Sequence, residues 1–162
     1  MDKMENASKE DTEDIFDLVH RAYRTMQGWT LEFPFVGGER ITHEGIRDLI
    51  ERHLLFVWRK QGKLTATACI EKQEDCALLS LFSVHPDYQS NGVGKVALKE
   101  TLNYIVQLGV QLCRIRVLEV RTELVNMYKK MGFRDTGERI PFVYPQYSKV
   151  GTLFFIVMEK KL

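Results

Sequence analysis

Residues 84–95 constrain the fold of this chain more than any other stretch. An apolar run ends at Val84, a short polar segment follows, and Gly92-Val93-Gly94-Lys95 opens a helical pattern carried by Val96, Ala97, Leu98, Leu102, Ile105 and Val106. Gly109 supplies the left-handed stop that such a helix needs. A second β-favouring run at 112–120 comes next, and a strand, helix, strand order of this length makes a crossover that leaves the two strands parallel in one sheet. The glycines keep the helix start uncrowded. Its unpaired N–H groups and positive dipole end therefore offer a site for a phosphate or pyrophosphate.

Gly92-Val93-Gly94-Lys95-Val96-Ala97 also fits the dinucleotide fingerprint G-x-G-x-x-G/A, with Glu119 downstream as its acidic partner. Two features oppose that reading. The first glycine of the fingerprint follows its strand directly, whereas residues 85–91 intervene here. Residues 98–162 are also too few for the rest of a doubly wound sheet, whose βαβ units take roughly 30 residues each. A dinucleotide-dependent oxidoreductase is the weaker alternative.

Elsewhere the hydrophobic period predicts a first helix over 9–26, from Ile15, Leu18, Val19, Ala22, Tyr23 and Met26, with Ser8 and Asp11 as its cap. An aromatic loop with Trp29, Phe33, Pro34 and Phe35 leads to a second helix marked by Ile46, Leu49 and Ile50. Runs at 54–59, 64–70 and 77–84 read as an antiparallel meander. A short helix at 122–131 and a last strand at 152–160 complete the pattern. The fold expected is α/β (α+β), a mixed, mostly antiparallel sheet with helices on both faces, in one domain over 1–162.

Composition narrows the partners. The balance of 23 Lys and Arg against 22 Asp and Glu provides no global field for nucleic acid or an anionic membrane. Cys69, Cys76 and Cys113 sit in apolar runs without C-x-x-C or Cys/His spacing, so buried free thiols are expected rather than disulfides or a metal site. The charged start, Met-Asp-Lys-Met-Glu-Asn, has no apolar signal core, and no run reaches the length of a membrane span. A cytoplasmic setting is expected.

The loop V-x-P-x-Y-Q-x-x-G-x-G at 84–94 resembles the acyl-CoA loop of the GNAT superfamily of N-acetyltransferases, whose core is Q/R-x-x-G-x-G/A. A second block, Leu124-Val125-Asn126-Met127-Tyr128-Lys129-Lys130-Met131-Gly132-Phe133, is similar to the family's A-x-x-L-Y-x-K-x-G-F segment. The resemblance covers roughly 77–133. It implies a GNAT fold in which the parallel strands splay, acetyl-CoA enters the gap, and an acetyl group passes directly to a primary amine. A non-catalytic acyl-CoA-binding module is the other alternative. The implied cofactor residues are Gln89, Ser90, Asn91, Gly92, Val93, Gly94 and Lys95 at the pyrophosphate, with the backbone of Phe82, Ser83 and Val84 along the pantetheine arm. Many relatives carry asparagine seven residues before the tyrosine; this chain has Arg121, whose guanidinium suits a cofactor phosphate.

An amine with a pKa near about 10.4 is protonated at neutral pH, so a base must take its proton, an oxyanion needs donors, and the leaving thiolate gains from an acid. The resemblance gives the acid role to Tyr128. The strand position around 78–80, where some relatives carry a catalytic carboxylate, is apolar, so Glu71, Glu32 and Glu119 share the candidacy for base. A cysteine nucleophile has no His/Asn partner pattern. The implied topology sets the tail 134–150, with Pro141, Phe142, Tyr144 and Tyr147, opposite Trp29, Phe33 and Phe35, and these walls suit an apolar amine or a cation. The acceptor is a small-molecule or peptide amine. The protein is expected to be a monomer or homodimer, the apolar stretch 153–158 being available for pairing between subunits.

Overall fold

Buried Ala77, Leu79, Leu81 and Ser83 alternate with half-buried neighbours along 77–84, the period-two pattern of a strand inside a sheet. The computed structural model describes residues 3–162. Its elements run β1 (Glu5–Asn6), α1 (Thr12–Arg24), α2 (His43–Glu51), β2 (Leu55–Lys60), β3 (Lys63–Lys72), β4 (Ala77–Val84), α3 (Val93–Gln107), β5 (Leu112–Leu118), α4 (Thr122–Lys130), β6 (Arg134–Pro141) and β7 (Phe154–Lys161), with short 3-10 turns at Lys9–Asp11, Pro86–Asn91 and Pro145–Tyr147. One seven-stranded sheet takes the order β1-β2-β3-β4-β5-β7-β6. Every neighbouring pair is antiparallel except β4 and β5, which the α3 crossover makes parallel.

Helices cover both faces. Ile15, Leu18 and Val19 of α1 and Ile46 and Ile50 of α2 meet Leu55, Val57, Cys69 and Leu81 on one face. On the other, Val93, Ala97, Leu98 and Ile105 of α3 and Val125 and Tyr128 of α4 meet Phe56, Trp58, Ala66, Ala68, Leu79 and Met158. Full burial of a side chain such as Leu98 or Ile105 stabilises by roughly 1.5–3 kcal/mol each. A third, smaller cluster of Val36, Leu118 and Leu153 lies under the aromatic loop and the β6–β7 connection.

Several expectations shift. The first helix is shorter than 9–26, because Asp11 accepts from both the backbone N–H and the hydroxyl of Ser8 and closes a 3-10 turn before α1 begins. Part of the expected tail is β6, an edge strand. The last strand does not form a free edge for subunit pairing, since β7 lies between β5 and β6 and the edges are β1 and β6. Cys69, Cys76 and Cys113 are buried free thiols as expected. Among the described residues, no helix is long and apolar enough to cross a membrane.

Candidate active site

β4 and β5 pair only at Ala77 with Cys113 and Leu78 with Arg114. Beyond that point β5 stays zipped to β7 as far as Leu118, while the β5-facing edge of β4 has no strand partner. The strands diverge into a cleft. Beside it the β3–β4 register slips between Thr67 and Cys69, so Leu81 and Phe82 together oppose Ala68, a bulge that turns Leu81 to the α1 face although Leu79 packs on the α3 face. Leu81 adopts φ 50°, a strained left-handed conformation for a leucine. The Phe82 carbonyl accepts a hydrogen bond from the Tyr23 hydroxyl at 3.3 Å.

At the cleft's end, His85 Nδ1 accepts from the Asp87 N–H and starts the 3-10 turn, Gly92 takes φ 76°, and α3 begins. No side chain caps α3. The N–H groups of Val93, Gly94 and Lys95 have no acceptor among the described residues. Gly92 serves through its backbone conformation, since a Cβ there would meet nothing. Ser90, Asn91 and Lys95 are exposed beside this helix start.

Gln89 is used differently from the expectation. Its Nε2 donates to the Val84 carbonyl at 3.0 Å and its Oε1 accepts the Trp29 N–H at 2.9 Å, so its side chain ties the turn to the aromatic loop instead of pointing at a phosphate. Gly28 makes room for it: a Cβ on Gly28 would stand 2.8 Å from Gln89 Oε1. One residue along, the Thr30 hydroxyl donates to Glu123 Oε1 at 2.7 Å, and this bond heads the causes that lower the Glu123 carboxyl from its ordinary value. The segment 28–32 thus forms a strap from the turn before α3 to the start of α4.

The strap ends at a buried charge cluster. Glu32, expected in the acceptor wall or as base, is 7% exposed and accepts from Arg24 Nη1 at 2.7 Å and Arg121 Nη1 at 3.0 Å. Two guanidinium groups occupy both of its oxygens, so neither is left free to meet an acceptor amine. Arg121, 6% exposed, turns to Glu32 rather than toward a cofactor phosphate. Its Cζ stands 5.8 Å over the Tyr23 ring, and Arg40 covers the same ring at 5.3 Å. Glu71 is also set apart: it pairs with Leu78, where the seam is still closed, and bonds Arg52.

Tyr128 of α4 is buried and packs edge-on against Phe133 with ring centroids 5.3 Å apart. Burial first, then Tyr23, pushes its hydroxyl well above the ordinary tyrosine value; Arg121 opposes them. Glu119 is half-buried just past β5, its N–H held by the Phe154 carbonyl. Burial pushes the Cys113 thiol up to about 12 and raises Cys69 and Cys76, the reverse of what a nucleophilic thiolate needs.

The aromatic loop and the tail meet as expected. Val36 bridges Ser148, the Gly37 N–H donates to Tyr147 O, the Lys149 N–H donates to Phe35 O, and Lys149 Nζ lies 3.4 Å from the Phe33 ring centroid. Trp29 and Tyr144 are largely exposed on these walls. Tyr23, Arg24, Thr30 and Glu123 were not singled out as site residues from the sequence; Tyr23 reads there only as part of the apolar stripe of α1.

Residues 12–133, which carry the divergent parallel pair and the uncapped helix start, match the family described as acetyltransferase (GNAT) family. The chain belongs to the GNAT acetyltransferase family. Among curated proteins, the ribosomal protein bS18-alanine N-acetyltransferase of Escherichia coli strain K12 is 29% identical over 89 residues, 55% of this chain. The match spans 60% of that relative's length. The GNAT fold is shared with solved structures: PaiA N-acetyltransferase from Thermoplasma acidophilum in complex with coenzyme A, at TM-score 0.78 and 19% identity over 100% of both chains, and the ribosomal-protein-S18-alanine N-acetyltransferase from Escherichia coli, at TM-score 0.76 and 22% identity over 99% of this chain and 94% of the other.

Proposed function

We propose that this protein is an acetyl-CoA-dependent N-acetyltransferase that passes an acetyl group to a primary amine by direct attack in a ternary complex. One observation carries the reading: the open β4–β5 seam ends beside a helix start whose N–H groups lack acceptors. These residues fit coenzyme A. The N–H groups around Ser90, Asn91, Gly92, Val93, Gly94 and Lys95 suit a diphosphate, and the open edge at Phe82, Ser83 and Val84 suits an extended amide-bearing arm. Acetyl-CoA, when bound, would supply the acetyl group as an activated thioester, its C–S bond breaking as the amide forms and coenzyme A leaving as the thiol.

The chain's own residues then hold the amine, take its surplus proton and return one to sulfur. Tyr128 is given the acid role by its position in the motif carried on α4; its buried hydroxyl is in the protonated form that an acid must have at neutral pH. Glu119 takes the role of base, since its half-buried carboxylate stands past β5 without a guanidinium bonded to it among the described residues, whereas Glu32 and Glu71 are both held in ion pairs. Trp29, Phe33, Phe35 and Tyr144 flank the approach of a small-molecule or peptide amine; the relative whose name specifies bS18 alanine supports a peptide as one acceptor. One domain with three free thiols fits work in the reducing cytoplasm as a monomer or homodimer.

Thermal unfolding with coenzyme A, paired with thiol release from acetyl-CoA over a panel of amines, tests this reading. Coenzyme A should raise Tm where NAD does not, and thiol should appear only with an amine. Protection without thiol release from any amine would demote the protein to a binding module; no protection at all would overturn the proposal.

A further inference from the structure

Arg24, Glu32 and Arg121 bring two guanidinium charges to one carboxylate, and burying a charge without a counterion is unfavourable. Arg24 is nevertheless well satisfied: its Nε donates to Gly38 O at 2.6 Å and its Nη1 to Tyr23 O and Glu32. Arg121 is not. Only Nη1 is bonded, while Nε, sealed from solvent, and Nη2 have no protein partner among the described residues. Those two nitrogens form the side-on edge of a guanidinium, whose parallel N–H groups match the two oxygens of a carboxylate. This chain uses that edge elsewhere, where Arg114 Nε and Nη2 grip Glu159 at 2.9 and 2.7 Å.

Arg121 also neighbours the β4 bulge and α4. Its Cζ lies over Tyr23, the hydroxyl of Tyr23 bonds the β4 bulge at Phe82, and both side chains influence Tyr128. The phosphate-facing N–H groups are at the start of α3, a different element. We propose that Arg121 turns its unpaired nitrogens, Nη2 and, once a ligand displaces what covers it, Nε, to a carboxylate carried by the acceptor, so that acceptors are amines with a carboxylate close to the reacting nitrogen: a free α-amino acid, or a peptide with an acidic residue at its N-terminus. This rests on the N-acetyltransferase reading and narrows it.

Binding and turnover are read separately. The protein loaded with coenzyme A is titrated calorimetrically with N-acetylalanine against N-acetylalaninamide, and with N-acetylaspartyl-alaninamide against its asparaginyl counterpart. The carboxylate member of one pair should bind about tenfold tighter or better, and the responding pair identifies the source of the carboxylate. Arg121→Gln should erase the difference and keep the protection by coenzyme A; Arg121→Lys, with charge but no paired donors, should lose most of it. In turnover the same contrast should appear in KM with kcat nearly kept. Equal binding within both pairs in the wild type, a comparison that needs no variant to fold, overturns the proposal, as does a preference that survives in Arg121→Gln. Arg121-dependent carboxylate binding without transfer to any amine would sink the transferase reading alone.

Discussion

Glu32→Gln is the perturbation whose size the charge cluster fixes most directly. The carboxylate accepts from two arginines at 2.7 and 3.0 Å, and all three side chains are at least nine-tenths buried. A glutamine keeps one acceptor oxygen but turns an amide NH2 toward the other guanidinium, leaving two buried cations with no anion. Breaking a buried ion pair from one side costs about 3–5 kcal/mol. At about 2–4 °C per kcal/mol for a chain of this size, Tm should fall by roughly 6–20 °C. Arg121→Gln should behave differently, because it removes the surplus cation and leaves Arg24 and Glu32 balanced, at a cost near roughly 2 kcal/mol. Urea unfolding of both variants and the double variant measures the asymmetry, with the double variant less destabilised than the sum. If Arg121→Gln proved as damaging as Glu32→Gln, the excess-charge argument would fail. A Glu32→Gln protein of unchanged stability that had lost all transfer would instead restore Glu32 as the base.

Three other outcomes are expected. Tyr128→Phe should lower kcat by about 10²–10⁴-fold with little change in coenzyme A protection if the hydroxyl is the proposed proton donor; unchanged kcat in steady-state assays would return it to packing. Gly28→Ala should cost about 1–2 kcal/mol in urea unfolding, because φ 98° disfavours a side chain and the new Cβ would press on Gln89. Asp135 is held at about 2 by the Arg139 guanidinium and the Gly137 N–H, a lowered value, so its stabilisation is present above about pH 4 and lost as pH falls through 2. Asp135→Asn should therefore flatten the acid side of stability between those values, and a curve parallel to the wild type would contradict this.

What the sequence made legible followed range. The bounds of β4 and the start of α3 are local: a period-two apolar run, then glycines that only a turn and an uncrowded helix start require. Strand β6 was illegible because it is an edge strand, exposed along almost its whole length and carrying Gly137 and Pro141, so no apolar face announces it. The helix that carries Tyr128 was legible because its motif lies within one short segment. The pairing of Glu32 with Arg121 spans 89 positions, and nothing near either residue marks the other. Gln89 shows the same limit, since its motif position predicted a phosphate contact while the fold spends its amide on Val84 and Trp29.

The strap over residues 28–32 has a kinetic meaning. Because Gln89 grips Trp29 from the turn that precedes Gly92, a ligand that settles that turn also settles the aromatic loop. On the proposed function, coenzyme A arriving at this turn should finish the seat for the amine, giving compulsory-order addition, which initial-rate patterns with a dead-end amine analogue would display.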